Sequence, residues 1–137
     1  MQPMDKLRKQ HKDILIIVDK IHTDLERATD IKIAEFMFDL IGQLGTLLQE
    51  HLLIEDFFLY PALQKLPQEN VRNVASLFLT ELGGLRIALS EYSDKWTSPR
   101  NIVQSHSYFM SESKVLLSTL KYRIAKEDNE LFPLIGA

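Results

Sequence analysis

Cysteine is absent from the 137-residue chain. That removes thiolate metal sites, disulfides and thiol redox chemistry together, and leaves nitrogen and oxygen as the only strong metal donors. Also missing is any apolar run near the ~20 residues of a membrane span. The opening stretch Met-Gln-Pro-Met-Asp-Lys-Leu-Arg-Lys-Gln has no signal-peptide core. Charge of one sign is not in excess: 16 Lys and Arg against 19 Asp and Glu give a net charge of -3, with no basic stripe. Nucleic acid and membrane are therefore not expected partners. No Gly-rich phosphate loop or nucleophile elbow occurs, so acyl and phosphoryl chemistry have no support. The apolar share of 45% and charged share of 26% are ordinary for a globular chain. The expectation is one cytoplasmic domain over residues 1–137, long enough for a single core.

What is present is helical periodicity, four times over. Apolar positions alternate three and four residues apart in each stretch. The first predicted helix runs from about Pro3 to about Arg27 with the seam Leu7, His11, Ile14, Val18, Ile21, Leu25. Thr29-Asp30 supplies a turn and N-cap. The second carries Ile33, Met37, Leu40, Leu44, Leu47, His51, Ile54 and Phe58, ending near Pro61. The third, after Pro67, carries Val71, Ala75, Phe78, Leu82, Leu85, Leu89, Tyr92 and Trp96. Gly83-Gly84 inside it reads as a point of loosening or close approach. Ser98-Pro99 opens the fourth, with Val103, His106, Met110, Ser113, Leu117, Leu120, Ile124, Glu127 and Leu131. Short connections make an all-α, up-down-up-down antiparallel four-helix bundle the economical fold.

The chain also repeats itself. His-Leu-Leu-Ile-Glu-Asp-Phe-Phe-Leu-Tyr-Pro at 51–61 returns at 123–133 as Arg-Ile-Ala-Lys-Glu-Asp-Asn-Glu-Leu-Phe-Pro, offset by 72 residues. A His and a Glu four apart share one helix face and can hold one cation together. An Arg and a Glu at that spacing can only form an ion pair, since guanidinium has no free lone pair. Counting residues from each turn at about 1.5 Å per residue puts His11, His51, Glu55, Leu82, Arg123 and Glu127 in one layer near one end of the bundle. Buried carboxylates need a positive partner. His22 lies about 16 Å along the axis from His11 and His106 at the opposite end, so neither joins the layer. Tyr60, Tyr92 and Trp96 read as core and end-packing residues. Phe57-Phe58-Leu59-Tyr60 is apolar nearly all round, so a contact surface for a protein partner or homodimer is left open there.

These motifs resemble the hemerythrin-like (HHE) cation-binding domain: the His-x-x-x-Glu-Asp-x-x-Leu-Tyr-Pro run, its echo ending Leu-Phe-Pro, and His11 upstream. The resemblance spans essentially the whole chain. It implies a non-haem di-iron centre in a four-helix bundle, with His11 and His51 on one iron and Glu55 and Glu127 as bridging carboxylates. The second iron lacks its terminal ligands. Arg123 stands where the fourth-helix motif should open with His, and Glu81-Leu82-Gly83-Gly84-Leu85-Arg86 holds no histidine. A reversible di-iron oxygen carrier is not expected, and the missing ligands weaken iron-linked redox or nitrosative-stress chemistry. Two readings stay open. In one, His11, His51, Glu55 and Glu127 hold a single divalent ion, iron first with zinc or manganese as alternatives. Arg123 then compensates charge in the vacated half-site. In the other no metal binds, and Arg123 bridges Glu55 and Glu127 in an interaction or regulatory module. Neither reading makes the protein an enzyme.

Overall fold

The computed structural model describes residues 3–135, so the four terminal residues of the single-domain expectation lie outside the described part. Among the described residues every regular element is helical. Helix α1 spans Pro3–Asp24 and tightens into a 3-10 turn at Leu25–Arg27. Helix α2, Ile31–Ile54, starts where the sequence says it should: Asp30 caps it, its side chain accepting from the Ile33 N–H at 3.3 Å. A short α3, Tyr60–Leu63, continues it beyond Pro61. The third stretch is two helices, α4 (Glu69–Leu82) and α5 (Leu85–Lys95), separated at Gly83-Gly84. The fourth is also divided, into α6 (Pro99–Gln104) and α7 (His106–Lys126), with Ser98 accepting from the Asn101 N–H at 3.1 Å. Four long helical stretches packed on one another fit a bundle.

The echoed segments share a local structure that periodicity could not reveal. Each forms a π-helical turn beginning at its glutamate, Glu55–Leu59 and Glu127–Leu131. The Tyr60 N–H reaches back to the Glu55 carbonyl, and the Phe132 N–H to that of Glu127. A proline follows each turn. In a regular helix its ring would press on the carbonyl four residues earlier, and in both cases that carbonyl sits inside the wider turn. Such turns recur at functional sites. The extra residue also resets which side chains face inward. Tyr60 and Phe132 become buried, while Phe58, placed in the seam by its spacing, is 69% exposed. Phe57 is exposed beside it.

The seams of the first and third stretches are buried as read. In the fourth, Val103, His106 and Met110 are only half-buried, and Ile102 and Phe109 carry the core instead. The break at Ser105 shifts the helical register there. His22 is exposed, and the half-buried His106 ring lies 3.0 Å from the Leu25 carbonyl, so neither enters the polar layer.

The core is in two parts. One cluster holds Ile14, Val18, Leu48, Leu52, Leu85 and Ile124 with their neighbours. The other holds Leu7, Tyr60, Phe78, Leu82, Leu131 and Phe132. Along α1 the boundary between them falls at His11; at the end of α2 it falls between Leu52 and Ile54, and past the end of α7 between Ile124 and Leu131. A sheet of charge is thus sandwiched between two apolar regions, where low polarity strengthens every electrostatic contact.

Candidate metal centre

The five polar side chains that counting placed in one layer are all there and all buried: His11 1%, His51 1%, Glu55 0%, Arg123 2% and Glu127 0% exposed. Each of the four candidate ligands has one polar atom held from outside. His11 Nδ1 donates to Asp128 Oδ1 at 2.8 Å, and His51 Nδ1 to Gln10 Oε1 at 2.7 Å. Glu55 Oε1 accepts from Arg123 Nη2 at 3.0 Å. Glu127 Oε2 accepts from the Tyr60 hydroxyl at 2.6 Å and from Arg123 Nε at 3.3 Å. Outer partners of this kind fix a histidine's tautomer and leave its other nitrogen bare for a metal.

The four remaining atoms converge. His11 Nε2 lies 3.0 Å from His51 Nε2, 3.1 Å from Glu127 Oε1 and 3.7 Å from Glu55 Oε2, and His51 Nε2 lies 3.1 Å from Glu55 Oε2. One donor atom from each residue sits within 4.8 Å of all the others. Glu55 Oε2 and Glu127 Oε1 are buried and accept no hydrogen bond. The close His-to-Glu separations are therefore contacts between facing charges without hydrogen-bond alignment. Donors about 2.0–2.2 Å from a shared ion stand roughly 3–3.5 Å apart. The spacing, the two Nε2 atoms, which offer lone pairs once His11 gives up its proton, and the two unpaired carboxylate oxygens all fit one divalent cation.

The electrostatics point the same way. Burial alone would lower the His11 imidazole, yet the adjoining Glu127 and Glu55 outweigh it and raise it to about 10. Burial and the like charge of Glu55 push Glu127 up to about 7. Glu55 is held low: burial opposes this, but His11 and His51 prevail. Burial keeps the Tyr60 hydroxyl protonated, as a donor to Glu127 requires. The pocket is short of positive charge and takes it as a proton or as a metal ion.

Arg123 occupies the far side of the two carboxylates. Besides Glu55 and Glu127, its Nη2 meets Asp56 Oδ1 at 2.8 Å and its Nη1 donates to the Leu82 carbonyl at 3.1 Å. Asp56 and Asp128 are each approached by an arginine, Arg86 and Arg8, at 3.9 Å. Asp128, Asp56, Gln10 and the Tyr60 hydroxyl were not singled out by sequence reasoning. Tyr60 is buried in the core as read, and its hydroxyl in addition donates to Glu127. The two aspartates did carry a signal, as the second letter of the repeated Glu-Asp pair.

The donor set has no sulfur, which fits iron, zinc or manganese. No helix among the described residues is long and apolar enough to cross a membrane. Nothing matches the chain among curated proteins or among solved structures. Residues 2–135 do match the family described as the Hemerythrin HHE cation binding domain. With that match over nearly its whole length, the chain belongs to the hemerythrin HHE cation-binding domain family.

Proposed function

We propose that the protein is an up-down-up-down antiparallel four-helix bundle that binds one divalent metal ion through His11, His51, Glu55 and Glu127. In this reading it acts in sensing or regulation, without turning over a substrate. Iron is the first choice of ion, with zinc and manganese as alternatives. Support for the topology comes from the layer itself. His11 lies early in α1 and meets His51 late in α2, and the intervening connection is short. The observation that carries the metal reading is the pair of buried carboxylate oxygens, Glu55 Oε2 and Glu127 Oε1, that accept no hydrogen bond and face two histidine nitrogens. A bound ion would serve as a Lewis acid. The chain's own groups orient it and exclude water: Asp128 and Gln10 hold the imidazoles, and Arg123 and Tyr60 hold the carboxylates.

Linkage is compatible with a regulatory role. An ion bridging α1, α2 and α7 stabilises only the folded state, so its occupancy is read out as stability. The groove between α5 and α7, about 440 Å³ and lined by residues such as Tyr92, Lys95, Glu112 and Leu116, shares no residue with the layer. The second reading, a bundle that holds no metal, is favoured by Arg123 itself, whose guanidinium spans Glu55 and Glu127. Denaturant melts with and without chelator separate the two. Under the metal reading, chelator lowers the stability of the wild type and leaves His51→Ala unchanged. A chelator effect absent from both proteins would leave only the second reading.

A further inference from the structure

The duplication seen in the motif extends to the buried pattern of the whole bundle. Leu7, His11 and Ile14 recur 71 residues on as Phe78, Leu82 and Leu85, all buried but for the change of residue type. His51, Glu55 and Tyr60 recur 72 residues on as Arg123, Glu127 and Phe132. The two histidines of one half therefore have Leu82 and Arg123 as counterparts in the other. Neither side chain can ligate a metal, yet the two residues meet through the Leu82 carbonyl and Arg123 Nη1 at 3.1 Å.

That contact depends on the helix break. Leu82 ends α4, and carbonyls of a last turn have no donor within the helix. Gly83 then makes a turn so tight that a Cβ there would collide with the Leu79 carbonyl oxygen. A continuous helix would direct the Leu82 carbonyl along its own axis, to the amide four residues on. We propose that Leu82, Gly83 and Arg123 form one device, a seat for a tethered cation in the second half-site. Gly83 is its positioning residue, and the seat fixes the metal capacity of the layer at one. The guanidinium takes Glu55 Oε1 and Glu127 Oε2, the oxygens a second ion would need. Its charge also repels any cation that approaches there.

The metal count in this proposal rests on the single-ion reading above, whereas the role of Gly83 does not. The first test is a double-mutant cycle in chelator-treated protein, comparing urea unfolding of wild type, Gly83→Ala, Arg123→Met and the double variant. If Gly83 acts through Arg123, Gly83→Ala shifts the unfolding equilibrium at least tenfold more with Arg123 present than without it. Equal shifts in the two backgrounds would overturn the positioning role, since a break that matters only for helix packing is additive. The second test covers the case in which Gly83→Ala does not fold. Zinc is titrated into wild type and into Leu82→His proteins carrying Arg123, Arg123→Lys or Arg123→Gln, so that a ligand for a second ion is present. On the Leu82→His background the lysine variant keeps the charge and the wild-type count, and the glutamine variant takes up one zinc more. A glutamine variant with the wild-type count would overturn the limit on capacity. A wild type that binds no zinc would remove the single-ion reading, and the cycle would still decide Gly83.

Discussion

Raising the pH of chelator-treated protein should destabilise it steeply, and the size of the effect follows from His11. Burial works against a charge on this imidazole, but Glu127 and Glu55 raise it from 6.5 to about 10. A basic group raised by folding gives stability that is complete below its unfolded value. That stability is lost as the pH climbs to the folded value, here between 6.5 and about 10. One proton of difference corresponds to about 1.4 kcal/mol per pH unit. Between pH 7 and pH 9 the loss is about 3 kcal/mol, which for a chain of this size lowers Tm by roughly 10 °C. Glu127 acts with the same sign at lower pH. Its carboxyl is raised by burial and by Glu55 from 4.5 to about 7, so the fold gives up stability as the pH rises through that window. A bound divalent ion replaces the proton, and zinc-loaded protein should change little over pH 7 to 9. The assay is a set of melts at pH 7, 8 and 9, with chelator and with zinc. Chelator-treated protein equally stable at pH 7 and pH 9 would refute the reasoning, because a buried His11 facing two carboxylates could not then depend on its proton.

Three further outcomes are expected. Arg123→Ala leaves Glu55 and Glu127 without their guanidinium and should cost on the order of 3–5 kcal/mol in chelator-treated protein. With metal bound the cost should be much smaller, because the ion's two charges balance the two glutamates; the same melts report both. Asp128→Asn weakens the hydrogen bond that fixes the His11 tautomer and should lower zinc affinity roughly 10–100-fold, measured by competition with a chromogenic chelator. Leu82→His combined with Arg123→His should rebuild the second half-site and, reconstituted with Fe(II) and air, bind close to two irons per chain with an oxo-bridged absorption that wild type lacks. A folded double variant holding no more iron than wild type would mean that the second half of the layer resembles the first in fold only.

Much of this architecture was legible because its signals are local and periodic. The caps at Asp30 and Ser98, the breaks near Gly83 and the seams of the first and third stretches follow from residue type and spacing alone. The polar layer was legible because helix rise is nearly constant, so counting from each turn gives a height. Register was lost wherever that constancy fails. The π turn after Glu55 moved Phe58 outward and Tyr60 inward, and the break at Ser105 moved Ile102 and Phe109 into places assigned to Val103, His106 and Met110. The partners around the site were harder still. Gln10 and Asp128 reach His51 and His11 across helix interfaces, 41 and 117 residues away in sequence, and nothing along one helix announces such a contact. The Leu82 carbonyl is a backbone atom freed by a turn, which no side-chain pattern marks.

The most direct test of the single-ion centre is a metal count. Wild type and His51→Ala, purified without chelator, are analysed by inductively coupled plasma mass spectrometry and normalised to chain concentration. We expect about one equivalent of iron, zinc or manganese in wild type and almost none in His51→Ala. Less than a tenth of an equivalent in wild type would contradict the centre and leave Arg123 as the layer's resident cation. A count near two, lost on His51→Ala, would show that the guanidinium does not hold the second half-site closed.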